Sequence, residues 1–133
     1  MNQTGTTTIV STSQAQASGI HILAEFHNCK ENNRCMLDAD QLEKFCVQAV
    51  ADSGLTNVGS LFYQFAGAGV TGTVLLAESH IAIHTWPEND YLSLDIFVCN
   101  VTQDNSEQAR GLYERFAELF APSKVNYQEA ERT

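Results

Sequence analysis

The alternation of apolar and polar positions predicts a series of short strands interrupted by two helices. Asp38 can cap a first helix that runs through Asp52, because the apolar residues between them share one helical face. Asp104 or Ser106 can cap a second helix, which Pro122 would stop. Runs of apolar, β-branched and aromatic residues predict six strands, at 20–26, 57–65, 70–77, 80–86, 91–101 and 124–130.

The resulting order, β-α-β-β-β-β-α-β, indicates the α+β class. Strands that follow one another through short turns pair as hairpins, so we expect a two-layer sandwich: a mainly antiparallel sheet with both helices on one face. The strand at 124–130 is expected at the edge of this sheet. Residues 1–18 are rich in Thr, Ser and Gln and predict a flexible N-terminal arm, whereas residues 19–133 predict a single domain.

Composition and charge exclude several classes of function. With 44% apolar and 17% charged residues, the chain of 133 residues is globular. Its 16 acidic and 7 basic residues give a formal charge of −9, which argues against binding nucleic acid or anionic membranes, since both require basic surface. No apolar stretch approaches the roughly 20 residues that span a bilayer. The N-terminus lacks the features of a secretory signal, so we expect a cytoplasmic protein with free thiols.

The segment at 78–88 (Glu-Ser-His-Ile-Ala-Ile-His-Thr-Trp-Pro-Glu) carries an unusual density of reactive side chains. Its alternation is also typical of a half-exposed strand without chemistry. A metal site is not expected, because His80 and His84 would lie about 13 Å apart along a strand, too far to share one zinc ion. A serine hydrolase is not favoured either, since no Gly-x-Ser-x-Gly elbow precedes a helix.

The same segment resembles a known family. Glu78-Ser79-His80 followed by residues 83–88 (Ile-His-Thr-Trp-Pro-Glu) is similar to the self-cleavage and substrate region of the S-adenosylmethionine decarboxylase proenzymes, in their short prokaryotic form. Four flanking stretches support the resemblance in the same order along the chain. They are 21–29, 69–72, 95–99 and 129–132.

The resemblance implies a pyruvoyl enzyme that makes its own cofactor. Self-cleavage between Glu78 and Ser79 would convert Ser79 into the pyruvoyl group at a new N-terminus. That ketone would condense with the substrate amine and accept the electrons released as CO₂ leaves, the role that pyridoxal phosphate has elsewhere. The implied substrate is S-adenosylmethionine, and the implied product is the aminopropyl donor of spermidine and polyamine synthesis.

The resemblance also implies roles for residues outside the cleavage point. Cys99 matches the cysteine that protonates the decarboxylated intermediate, and His84 matches the histidine that assists elimination during processing. Thr71 stands where the family usually has a serine that stabilises the ester intermediate; the threonine keeps the hydroxyl but adds a methyl group. Glu78, at the end of the N-terminal piece, is expected to line the pocket.

Three further residues are implied in substrate binding. Phe65 matches an aromatic residue that stacks on adenine, and Glu88 matches a carboxylate that binds the ribose hydroxyls. Trp86 either completes the apolar wall of the pocket or is a core residue of its strand. Asn100, in place of a common glycine, and the loop at 66–68, which lacks a proline often found there, depart from the family pattern.

The spacing within the segment favours an active site shared by two copies of the chain. Ser79 and His84 would lie about 16 Å apart on one strand and on opposite faces of the sheet. A hairpin turning near 77–78 would place Thr71 opposite His84, away from the cleavage point. A two-fold homodimer, which the resemblance also implies, would join the two halves of the site. The alternatives are a pyruvoyl-dependent decarboxylase of ornithine or arginine, and an unprocessed, non-catalytic paralogue.

Overall fold

The structure, a computed structural model, describes Gly5 and residues 7–10, 19–30, 33–101 and 103–132. Its strands are β1 (Thr7–Val10), β2 (Gly19–His27), β3 (Asn57–Gln64), β4 (Val70–Leu76), β5 (Ser79–Trp86), β6 (Tyr91–Cys99) and β7 (Lys124–Arg132). Its helices are α1 (Ala39–Ser53) and α2 (Ser106–Phe120). The strands form one sheet in the order β1-β7-β2-β6-β5-β4-β3. Strands β2 to β7 pair antiparallel, and this confirms the predicted α+β architecture.

The strand β1 falls inside the segment predicted as a flexible N-terminal arm. It pairs in parallel with β7, with Thr7 opposite Tyr127 and Val10 opposite Ala130. The prediction that β7 is an edge strand is therefore wrong, because β1 lies outside it. The β-branched residues of Thr-Thr-Ile-Val suit an extended strand. The rest of the predicted arm, apart from Gly5, lies outside the described residues.

The two helices begin and end through local signals. In α1 the side chain of Asp38 accepts hydrogen bonds from the first free backbone N–H groups, and Gly54 ends the helix at a φ of 83°. For α2 the N-cap position belongs to Asn105, whose side chain makes no capping bond, and not to Asp104 or Ser106. Asp104, one of the two predicted caps, still accepts a hydrogen bond from the backbone N–H of Ser106 at 2.9 Å. Ala121, in the left-handed conformation, ends α2 one residue before Pro122.

Both helices cover the same face of the sheet, and the core lies between the two layers. The largest fully buried side chains are Ile22, Phe26, Leu42, Val50, Ile81, Ile83, Leu92, Leu94, Ile96, Leu112, Phe116 and Phe120. Burial of each such side chain contributes about 1.5–3 kcal/mol. The alternate residues of these strands point to the opposite face, called the open face below. Among them are Thr71, His84, Tyr91, Phe97 and Cys99.

Candidate active site

The turn that joins β4 to β5 holds one residue in a strained backbone conformation. Leu76 pairs with Ser79, so only Ala77 and Glu78 form the connection. Glu78 has a φ of 64°, in the left-handed region that glycine occupies without strain. For an L-residue with a Cβ this conformation costs about 1–2 kcal/mol. The carbonyl group of the Glu78–Ser79 peptide bond therefore belongs to the residue of the hairpin whose backbone is strained.

The hydroxyl of Ser79 is anchored at the end of β6. The backbone N–H of Cys99 donates a hydrogen bond to Ser79 Oγ at 2.9 Å. On its other side, the carbonyl oxygen of Cys99 accepts a hydrogen bond from Asn105 Nδ2 at 2.9 Å. The side chain of Asn100 accepts from the backbone N–H of Asn105 at 2.8 Å and donates to Ser106 Oγ at 3.1 Å. These bonds hold the segment after β6 against the start of α2.

A second pair of polar side chains lies towards the other end of β5, on the open face. The register of β4 and β5 places Thr71 opposite His84, as predicted from the hairpin. Thr71 Oγ1 lies 3.0 Å from His84 Nδ1, within hydrogen-bonding distance. The threonine hydroxyl therefore makes the contact with His84 that a serine at this position could make.

Within one chain these two groups stay apart. Ser79 and His84 occupy the first and sixth positions of β5, which corresponds to about 16 Å along a strand. Ser79 has the parity of the inward-facing Ile81 and Ile83, whereas His84 belongs to the open face. Cys99 joins Ser79, and Thr71 joins His84, but the two pairs do not meet.

The residues predicted to bind substrate cluster at the His84 end. Phe65 directly follows β3 with 46% of its surface exposed, and its ring meets that of Tyr63 at 4.9 Å between centroids. Trp86 is 39% exposed, so its interpretation as a core residue is wrong. The rings of Trp86 and Tyr91 lie 5.3 Å apart. Glu88 is exposed in the short 3-10 helix that follows Trp86.

Two neighbours of the site were missed by reasoning from the sequence. Asn105 was not singled out because a polar residue before a helix usually indicates a cap, whereas here its amide holds the carbonyl of Cys99. Tyr91 was not singled out because it was counted only as a strand residue. Tyr91 is an even number of residues from Cys99 along β6, and this spacing was the signal that both side chains face the same side of the sheet.

A separate group of rings lies beside Cys99 on the open face. The rings of His21 and His80 meet edge to face at 6.1 Å between centroids, and both contact Phe97. The guanidinium of Arg132 lies 4.9 Å from the centroid of the Phe97 ring. Burial lowers the pKa of His21, which favours its neutral form.

The four cysteines differ in their surroundings. All are free thiols, and Cys29 and Cys46 are buried in the core. Burial raises the pKa of Cys29 to about 12 and raises that of Cys46 as well, so neither forms a thiolate near neutral pH. Cys35 is half-buried on the helical side, and its pKa is raised by burial too. Cys99 is the cysteine that lies next to Ser79.

Two other kinds of site were sought in the part of the chain that the structure describes. Within those residues, no three His, Cys, Asp or Glu side chains are grouped so as to hold a metal ion. None of the helices in the described ranges is long and apolar enough to cross a membrane.

Comparison with known proteins gives the family. A sequence model described as S-adenosylmethionine decarboxylase matches residues 20–133. The chain belongs to the S-adenosylmethionine decarboxylase family. An S-adenosylmethionine decarboxylase proenzyme from Archaeoglobus fulgidus is 39% identical over 110 residues, which cover 82% of this chain and 92% of the relative. A proenzyme of the same name from Thermotoga maritima is 45% identical over 87 residues, 65% of each chain.

A solved structure agrees with the sequence relatives. The crystal structure of the adenosylmethionine decarboxylase from Aquifex aeolicus superposes with a TM-score of 0.79 at 31% identity, covering 89% of this chain and 92% of that one. The predicted fold and the predicted S-adenosylmethionine decarboxylase, a carboxy-lyase, are thereby confirmed. The relatives support this interpretation and not a decarboxylase of ornithine or arginine.

Proposed function

We propose that this S-adenosylmethionine decarboxylase is a self-processing, pyruvoyl-dependent homodimer whose product supplies aminopropyl groups for polyamine synthesis. The observation that carries the proposal is the Glu78–Ser79 turn. Ser79, which supplies the hydroxyl nucleophile, directly follows Glu78, whose φ is 64°. The hydroxyl oxygen of Ser79 accepts a hydrogen bond from the backbone N–H of Cys99. The proenzyme names of the relatives also support self-processing.

The first step of processing uses groups that the turn holds together. Ser79 Oγ attacks the carbonyl carbon of Glu78, a C–O bond forms, and the C–N bond breaks. The hydroxyl proton passes to the departing nitrogen, so that the peptide becomes an ester with a free amine on Ser79. Relief of the strain at Glu78 favours this step, because a broken amide no longer fixes the left-handed residue in the turn.

The second step requires a base and a hydrogen-bond donor. Removal of the Cα proton of Ser79 and cleavage of its Cβ–Oγ bond releases the carboxylate of Glu78 and leaves a dehydroalanine. Hydrolysis of that group consumes one water, releases ammonia and yields the pyruvoyl group. We assign the base to His84 and the stabilisation of the ester to the hydroxyl of Thr71, 3.0 Å from His84 Nδ1.

The surroundings of Ser79 fit a pyruvoyl group. When formed, the group supplies an electron sink for decarboxylation. Cys99 lies on the strand beside it and can deliver a proton to the substrate carbon that loses CO₂, since its Sγ–H belongs to a residue whose backbone already contacts Ser79. Glu78, exposed at the turn, contributes a carboxylate at the entrance.

The homodimer is proposed because a single chain keeps the two halves of the site apart. A two-fold contact would bring Ser79 and Cys99, at one end of the β5–β6 pair in one copy, to Thr71 and His84 of the other, twice. The β3 edge of the open face also exposes large apolar side chains to water. Leu61 is 72% exposed and Tyr63 is 60% exposed there, beside Phe65.

We assign substrate recognition to the His84 end of the open face. The exposed ring of Phe65 offers a flat surface for the adenine base, and Trp86 with its neighbour Tyr91 extends the apolar wall. Glu88 offers two acceptor oxygens for the ribose hydroxyls.

Release of labelled CO₂ tests this function. The purified protein is supplied with S-adenosylmethionine, ornithine or arginine, each labelled at the carboxyl carbon. We expect release from S-adenosylmethionine and its loss after treatment with sodium borohydride, which reduces a ketone cofactor. Release that resists borohydride would contradict the pyruvoyl proposal, and preference for ornithine or arginine would contradict the substrate.

A further inference from the structure

Thr85 is a buried polar residue that the proposed chemistry does not use. It lies between His84 and Trp86 on β5 but points to the opposite face, with 5% of its surface exposed. In the described residues Thr85 and Glu129 are the two buried polar side chains. A buried hydroxyl is costly unless its hydrogen bonds are made, so its partners indicate its role.

The hydroxyl of Thr85 joins three separate parts of the chain. The backbone N–H of Val70 donates to Thr85 Oγ1 at 2.8 Å, and Thr85 Oγ1 donates to the carbonyl oxygen of Met36 at 2.8 Å. Val70 begins β4, and Met36 belongs to the short 3-10 helix at Arg34–Met36. One hydroxyl with one donor and one acceptor partner has a fixed orientation.

These bonds lie at the end of the ladder that carries the proposed processing pair. The pairing of β4 with β5 runs from Leu76–Ser79 to Thr71–His84, which is its last rung. The next backbone donor along β4, the N–H of Val70, binds the side chain of Thr85. The residue before Thr71 is thus tied to the residue after His84.

The turn that carries Phe65 also packs against Thr85. A Cβ at Gly69 would lie 2.0 Å from the carbonyl oxygen of Thr85, so only glycine permits this approach. The backbone N–H of Phe65 donates to the carbonyl oxygen of Gly69 at 3.0 Å. The turn after β3 is therefore seated on the same residue that fixes the last rung.

We propose that Thr85 is a positioning residue, whose hydroxyl holds Thr71 and His84 in register for the second processing step. The inference rests on the proposed roles of Thr71 and His84. Without the hydroxyl, the N–H of Val70 and the carbonyl of Met36 lose their partners, and the terminal rung is free to separate. The distance between Thr71 Oγ1 and His84 Nδ1 depends on that rung.

The test compares the rate of self-cleavage in Thr85→Val, Thr85→Ser and wild-type protein. Each protein is purified soon after its synthesis, and the uncleaved and cleaved chains are then separated over time on denaturing gels. Thr85→Val removes the hydroxyl at nearly constant volume, and Thr85→Ser keeps it. Thr73→Val is the matched control, because Thr73 Oγ1 donates to the carbonyl of Ile81 at 2.8 Å on the same strand pair but away from the last rung. Hydroxylamine, which cleaves an ester but not an amide, reports the accumulated ester.

We expect Thr85→Val to process roughly ten- to a hundredfold more slowly than wild type, since a small misplacement of a positioned group has effects of this size. Its uncleaved fraction should become sensitive to hydroxylamine, because Thr71 and His84 are proposed to act after the ester forms. Thr85→Ser and Thr73→Val should process close to the wild-type rate. A rate for Thr85→Val equal to that of Thr73→Val, or an equally slow Thr85→Ser, would overturn the inference.

Two further measurements separate the possible failures. Thermal unfolding of Thr85→Val in an uncleavable Ser79→Ala background shows whether the variant folds. If it does not, Thr85→Ala takes its place with the same expected slowing, since it removes the hydroxyl without placing a methyl group against the N–H of Val70 and the carbonyl of Met36. His84→Ala tests the processing role of His84 on which the inference rests. Normal processing of His84→Ala would overturn the role proposed for His84 in processing, and with it the role of Thr85, whereas blocked His84→Ala with normal Thr85→Val would overturn only the role of Thr85.

Discussion

The backbone N–H of Cys99 donates a hydrogen bond to the hydroxyl oxygen of Ser79 over 2.9 Å. This bond brings the proposed precursor of the cofactor to the cysteine proposed as proton donor, although the two residues lie on strands separated by a turn. The contact uses the backbone of Cys99, so the thiol remains available for a separate role. Processing and turnover should therefore respond differently to changes at Cys99.

Cys99→Ala is expected to process normally and to lose most of its turnover. The alanine keeps the backbone N–H that holds Ser79 Oγ but has no proton to deliver to the substrate carbon. Turnover per processed chain is measured by CO₂ release. Protonation at the wrong carbon would transaminate the pyruvoyl group, and this change is followed by the mass of the chain that carries the group. Unchanged turnover in a fully processed Cys99→Ala protein would exclude the thiol as the donor.

Glu78→Gly should slow cleavage, because glycine adopts a φ of 64° without strain. Loss of about 1–2 kcal/mol of strain corresponds to roughly a five- to thirtyfold slower attack. Glu78→Ala is the matched control, since it also lacks the carboxylate but keeps the Cβ that causes the strain. Equal cleavage rates for the glycine and alanine variants would show that strain at this residue does not drive processing.

The strands and helices could be predicted from the sequence because their signals are local. The cap at Asp38 and the left-handed Gly54 fixed α1, and alternation along β6 placed Cys99 opposite the core face. The position of β7 could not be predicted, since it depends on a pairing with Thr7–Val10, more than a hundred residues away in sequence. A polar, β-branched segment gives no local sign that a distant strand will pair with it.

The site could be predicted in part. The contact between Thr71 and His84 follows from the length of one hairpin, which sequence spacing sets. The bond from Cys99 to Ser79 joins the far ends of β6 and β5, 20 residues apart, and the bond from Thr85 to Met36 joins the sheet to the 3-10 helix before α1, 49 residues away. Their geometry therefore appears only when the sheet and the helical layer are assembled. Trp86 was left open between core and pocket because a large apolar ring suits both environments.

Phe65→Ala is expected to raise KM for S-adenosylmethionine several-fold while changing kcat less. The ring would contact adenine equally in the ground state and the transition state, and such stacking contributes about 0.5–1.5 kcal/mol beyond buried area. Because Phe65 is 46% exposed, its loss should affect folding little. Val47→Ala, an exposed apolar residue on α1, is the control. A fall in kcat at constant KM would argue against stacking on the substrate.

A shared active site predicts that two inactive variants restore each other. In a mixed dimer of Ser79→Ala and His84→Ala chains, one site carries both changes and the other carries neither. We expect the His84→Ala chain, which does not cleave alone, to cleave in the mixed dimer and to decarboxylate substrate. Chains of different tag length allow the cleaved partner to be identified by mass.

The control for this experiment is the mixture of Ser79→Ala with Cys99→Ala. We place both residues in the same half of the site. In this mixture one site lacks Ser79 and the other lacks Cys99, so no site is complete and the mixed dimer should not regain decarboxylation. If the His84→Ala chain stays intact in mixed dimers that demonstrably form, the site lies within a single chain.

The intact mass of the purified protein tests the central claim most directly. Self-cleavage predicts two chains, one of residues 1–78 with an ordinary carboxyl terminus and one that begins at residue 79 with a pyruvoyl group. The second chain should have a lower mass than a chain that begins with serine, because a ketone replaces the amino group and the hydroxyl is lost. Its mass should rise by two hydrogen atoms on reduction with borohydride. The Ser79→Ala variant should give one intact chain. A wild-type protein that remains one chain, or a Ser79→Ala variant that still splits at this bond, would contradict the account.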